Sequence, residues 1–105
     1  MRQLDNPGWA FLTNHAQVML CIADDPGIRL REIGEQVGIT ERAAHRIVVQ
    51  LVAAGYLARE RTGRRNRYTI NADLVLPDAI GRGQKMGKLL EVLTVMPGSK
   101  SAARG

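Results

Sequence analysis

The chain has 105 residues, enough for one domain with a modest core and too few for two. A 45% hydrophobic and 24% charged composition excludes wholesale disorder, while 4% aromatic content leaves the core to Leu, Ile, Val and Ala. The net charge of +5 points to an anionic partner, with nucleic acid ahead of a membrane surface because no strongly amphipathic basic helix stands out.

The opening "MRQLDNPGWAF" has a turn signal at Asp5 to Gly8 and then Trp9, Phe11 and Leu12, which together read as an arm, residues 1–12, that docks on the rest. The arm lacks the apolar run of a signal peptide, and residues 88–96, the longest apolar helical candidate, are too short to span a bilayer. A cytoplasmic location is expected. Thr13 is placed to cap a first helix in which Ala16, Met19, Leu20 and Ala23 recur at helical spacing until "DDPG" ends it. Cys21, the single cysteine, excludes an internal disulfide; within "VMLCIA" it reads as a packing residue, a redox-responsive thiol being the alternative.

"GIRL" alternates, Ile28 and Leu30 facing one way and Arg29 the other, which predicts a few strand residues at most. Leu30, Ile33 and Val37 then share one face of a short second helix that stops at Gly38. Thr40 is the expected N-cap of a third helix ending at Gly55. Ala44, Ile47, Val48, Leu51 and Val52 form its apolar stripe, and Arg42, His45, Arg46, Val49 and Ala53 lie opposite.

A hairpin follows, with Leu57, Tyr68 and Ile70 expected to point inward and residues 62–66, "TGRRN", to make the turn. It carries five arginines within residues 59–67, Arg59, Arg61, Arg64, Arg65 and Arg67. After a connector, Asp78 is positioned to cap a last helix bearing the stripe Met86, Leu89, Leu90, Leu93 and Met96. Residues 97–105 have no means of forming a core and are expected to be disordered.

The order helix, short strand, helix, tight turn, helix, hairpin is that of a winged helix-turn-helix, mainly α with a small β-hairpin and here an additional C-terminal helix. The stretch "LREIGEQVGITERAAHRIVVQLVAAGYLARERTGRRNRYTI", Leu30 to Ile70, resembles prokaryotic transcriptional regulators of the MarR and ArsR type. Gly34 stands where such proteins pack a small residue between crossing helices, Gly38 where they turn, and Ile39 and Ile47 at the family's aliphatic positions. "LVAAGYLARE" resembles the passage from recognition helix into wing. The resemblance implies sequence-specific binding of double-stranded DNA, with helix 40–54 in the major groove and wing 61–67 on backbone or minor groove.

The residues fit that implication. Arg42 and Arg46 suit guanine edges or phosphates, Ala43 a thymine methyl, His45 and Gln50 bases or phosphates, and Thr40 a phosphate. Glu41 can read a cytosine or simply stabilise the first helical turn. Arg61, Arg64, Arg65 and Arg67 flank a narrow glycine turn that can approach DNA; an ordinary solvated hairpin is the alternative. The last helix, with Trp9 and Phe11, offers a homodimer interface across Met86, Leu89, Leu90, Leu93 and Met96, or packs on the arm within one chain.

The division expected is an arm at 1–12, a DNA-binding domain at 13–71, a connector and C-terminal helix at 72–96 and a tail at 97–105. No nucleophile has a base and an orienting partner around it, and no phosphate-binding or dinucleotide loop occurs, so neither an enzyme nor a cofactor is expected. Two histidines and one cysteine do not make the ligand set of an ArsR-like metal sensor. A small-molecule effector is left open, any pocket for one being expected among the terminal helices. A protein-interaction module and a nonspecific architectural DNA binder are the competing readings.

Overall fold

The structure, a computed structural model, describes residues 8–94. Met96 and the tail 97–105 lie outside the described residues, as does most of the arm.

Three helices form where caps and stop signals bracket the apolar spacing. Thr13 Oγ1 accepts from the Ala16 N–H at 3.1 Å and opens α1 (Asn14–Asp24). Glu32 opens α2 (Leu30–Val37) by accepting from the Arg29 N–H at 3.0 Å, a carboxylate reaching back to an otherwise orphaned donor. Gly38 closes α2 at φ 88°, a left-handed conformation that costs a glycine little. Thr40 then opens α3 (Glu41–Ala53), its hydroxyl accepting from the Ala43 N–H at 3.0 Å. Thr40→Ala is expected to lower stability by about 1 kcal/mol in a denaturant titration, the usual cost of losing such a cap.

The core lies where these helices meet. Val18, Met19 and Ile22 of α1, Ile33 of α2 and Val48 of α3 are fully buried, and Ala44, Ile47 and Leu51 join them. Cys21 is buried beside them, and burial, followed by the nearby Asp24 charge, pushes its thiol above the usual range against an opposing backbone hydrogen bond. That environment favours packing over thiolate chemistry.

The alternation at "GIRL" is present without a strand. Ile28 is buried and Arg29 exposed, yet Leu30 already begins α2. The Gly27 N–H turns to the Asp25 carboxylate (3.1 Å) and the Ile28 N–H to the Asp25 carbonyl (3.0 Å), so both donors are used inside a turn. One backbone bond, from the Tyr68 N–H to the Pro26 carbonyl at 3.0 Å, joins this loop to the hairpin.

The hairpin pairs β1 (Leu57–Thr62) with β2 (Arg65–Ile70) in antiparallel register from Leu57↔Ile70 to Thr62↔Arg65. Its turn is tighter than the 62–66 expected: Gly63 and Arg64 alone make it, with Gly63 at φ 62°, a first turn position that suits glycine. Leu57 and Tyr68 are buried at the base, Ile70 is half-buried, and the ribbon beyond them projects into solvent.

The last helix begins later than Asp78. Residues Ala79–Gly81 form a short 3-10 turn, and Arg82 then takes a left-handed conformation (φ 55°) that stops helical propagation. The connector pairs with the chain ahead of α4 (Met86–Thr94): the Leu76 N–H donates to the Gln84 carbonyl and the Met86 N–H to the Leu74 carbonyl, at 2.9 and 2.8 Å. Tyr56 fastens this clamp to the core through its hydroxyl, which donates to the Val75 carbonyl at 2.7 Å. Tyr56→Phe is expected to cost about 1 kcal/mol, read as a lower denaturation midpoint at unchanged slope.

α4 packs on α1. Met86 and Leu90 are 8% and 7% exposed, so this half of the stripe belongs to the chain's own core. Trp9 and Phe11 do not dock: they meet each other edge-on, ring centres 4.8 Å apart, and Phe11 stays 90% exposed. The aliphatic helices already close the core without them.

Candidate nucleic-acid interface

Helical spacing puts Arg42 and Arg46 on one side of α3, with His45 and Val49, and all four are exposed. Neither arginine has a hydrogen-bond or ion-pair partner among the described residues; the ion pair found there joins Lys85 to Asp73. Ala43 is half-buried at the edge of this face, and Glu41 is exposed in the first turn. Gln50, two turns along, is engaged elsewhere: its side-chain carbonyl accepts from His15 Nε2 of α1 at 2.6 Å.

The start of α3, the start of α2 and the wing line one open cleft of about 350 Å³. Glu41 comes from α3, Arg31 from α2 and Arg29 from the position that caps it, and Arg64, Arg65 and Asn66 from the wing. Arg29 and Arg31 were missed by reading the sequence, although two arginines flanking a helix start were visible there. Adjacent helix N-termini and four guanidinium groups make this cleft electropositive.

The wing arginines are not equivalent. Arg61 folds back on the turn, Nε donating to the Gly63 carbonyl at 3.2 Å. Arg65 Nη2 donates to the Gly27 carbonyl at 2.5 Å. Arg67 lies opposite Glu60 in the ladder, so part of its charge is balanced. Arg64, at the tip, is exposed with no partner among the described residues.

A second cavity, about 450 Å³, lies between α1, the end of α3, the connector and α4. Met19, Leu20, Leu51, Leu89 and Leu93 supply apolar walls, and His15 and Gln50 stand at its polar side. Among the described residues no helix is long and apolar enough to cross a membrane, and no cluster of His, Cys, Asp or Glu suits a metal ion.

A model of the MarR family matches residues 11–67, more than half of the chain and all of it from the first helix into the wing. The chain belongs to the MarR family. Among solved structures it is similar to the MarR family protein Rv2887 of Mycobacterium tuberculosis in complex with salicylic acid, at 25% identity and a TM-score of 0.52. That alignment covers 79% of this chain and 58% of Rv2887, so the chain spans less than two thirds of that relative's length. It shares its fold with the PcaV transcriptional regulator of Streptomyces coelicolor in complex with its natural ligand, at 20% identity and a TM-score of 0.50, over 88% of this chain and 67% of PcaV. No curated protein matches the chain. The MarR half of the resemblance read from the sequence is thus the relevant one, and the winged helix-turn-helix is this MarR-family chain's architecture.

Proposed function

We propose that this MarR-family chain is a transcriptional regulator that binds double-stranded DNA in a sequence-specific manner and carries out no reaction of its own. The observation that supports this most is the exposed pair Arg42 and Arg46, without a partner among the described residues, on a helix whose start shares one cleft with Arg29, Arg31 and the arginines of the wing. In this reading α3 enters the major groove, where Arg42, Arg46 and His45 meet base edges, Ala43 a thymine methyl and Glu41 a cytosine. Thr40, Arg29 and Arg31 meet phosphates, and Arg64 leads the wing, with Arg61 and Arg67 behind it, onto backbone or minor groove. Gln50 serves instead to tie α3 to α1.

Residues 13–71 are the DNA-binding unit and 72–96 the connector and assembly segment. The chain acts as a homodimer on an inverted repeat with half-sites about 34–36 Å apart. Leu93, Trp9 and Phe11 are exposed and remain available to a second copy, with Leu89 at the edge; Met86 and Leu90 support the interface from inside the chain. The apolar cavity beside His15 suits a small, partly apolar effector, in line with the salicylic acid bound by Rv2887.

Selection of bound duplexes from a random library, followed by titration of the best sequence and a scrambled control at two salt concentrations, tests this. An inverted repeat preferred by about a thousandfold is expected. Equal, salt-sensitive binding to both duplexes points to an architectural role, and no binding to either points to a protein partner.

A further inference from the structure

The wing is a two-stranded ribbon, an element of marginal stability in water unless something else holds it. Past Leu57 on β1 every residue is exposed, so the core grips the base of the ribbon and leaves the tip unsupported. What reaches the outer part is the α1–α2 loop. Arg65 Nη2 donates to the Gly27 carbonyl, and further along the same strand the Tyr68 N–H donates to the Pro26 carbonyl.

Arg65 belongs to the last rung of the ladder, paired with Thr62 next to the turn, where a ribbon frays first. The loop it grips is itself firm. Asp25 accepts from both Gly27 and Ile28, and the Ile28 side chain is buried in the core. The Asp25 carboxylate and the Arg67 guanidinium also border Gly27, at 3.8 and 3.9 Å from the point where a Cβ would stand, so the loop presents negative charge and a carbonyl to this side of the wing.

We propose that Arg65 is a positioning residue and not a phosphate contact: its guanidinium latches β2 to the Pro26–Gly27 loop and sets the angle at which Arg64 meets the duplex. The part concerning the duplex rests on the DNA-binding reading; the latch does not. With one end of the rung held, the tip points in one direction in the free protein, and Arg64 reaches DNA without first being ordered.

The test compares the full chain with Arg65→Ala, Arg65→Lys and Arg64→Ala. In the free proteins, amide hydrogen exchange at Tyr68 is expected to quicken by about tenfold in Arg65→Ala and to be unchanged in Arg64→Ala, with Val48 in α3 reporting an intact core in each. On a mixed-sequence duplex, Arg64→Ala is expected to lower the slope of log affinity against log salt by about one, whereas Arg65→Ala weakens binding several-fold at unchanged slope. Arg65→Lys keeps the charge without the guanidinium fork and is expected to resemble Arg65→Ala. A slope lowered by about one in Arg65→Ala, full recovery in Arg65→Lys, or unchanged exchange at Tyr68 would each overturn the proposal. If the unaltered chain bound no duplex, the regulator reading would fail, and the exchange measurement would still decide the latch.

Discussion

Replacing Arg42 and Arg46 together by alanine is expected to weaken duplex binding by on the order of a hundredfold or more while leaving the fold intact. Each base or phosphate contact of an arginine is worth about 1–3 kcal/mol, and the two side chains stand one helical turn apart on the same face. No partner among the described residues competes for either guanidinium. Removing them therefore strands no buried group, and the melting temperature should hold or rise slightly, because like charges at this spacing repel by a few tenths of a kcal/mol. Fluorescence anisotropy on the selected duplex, paired with thermal denaturation, separates the two effects. Undiminished affinity in a folded double variant would remove α3 from the interface and leave the basic cleft without its central element.

The largest effect on stability is expected at Gly34. A Cβ built on it would stand 2.7 Å from the Ile39 carbonyl oxygen and 3.3 Å from the Thr40 carbonyl carbon. Both are backbone atoms of the turn between α2 and α3, so no side chain can rotate away. Gly34→Ala must push the two helices apart, at a cost of about 2–3 kcal/mol, or a melting temperature lower by about 10–20 °C. Gly27→Ala is the control, since the atoms near its Cβ position lie at ordinary contact distance, 3.7 Å or more. Because the Gly34 contact sets how α3 sits on α2, a folded remnant of Gly34→Ala should also bind DNA poorly. Equal melting temperatures for the two variants would refute the close-approach argument.

Part of this fold is legible in the amino-acid sequence. Thr13, Thr40, Gly38 and the apolar spacing of three helices are local signals, each acting within about one turn of chain, and the helix ends fall where those residues stand. Alternation likewise placed Leu57 and Tyr68 inward, because a strand has two faces and one is covered. The exposed arginines of α3 follow from the same arithmetic.

What tertiary structure decided is which group meets which. Periodicity marked Met86, Leu89, Leu90 and Leu93 as one stripe, but only packing against α1 divides it into a buried half and a remainder at the surface. The charge count on the hairpin treats its arginines alike, yet Arg61 closes its own turn, Arg65 grips a carbonyl thirty-eight positions away in sequence, and Arg64 has no partner among the described residues. Arg29 and Arg31 join the wing's cleft, and Gln50 turns from the basic face to His15, for the same reason. A sequence pattern states that a side is covered or exposed; the partner depends on how helices cross and where a loop comes to rest, which distant residues settle together.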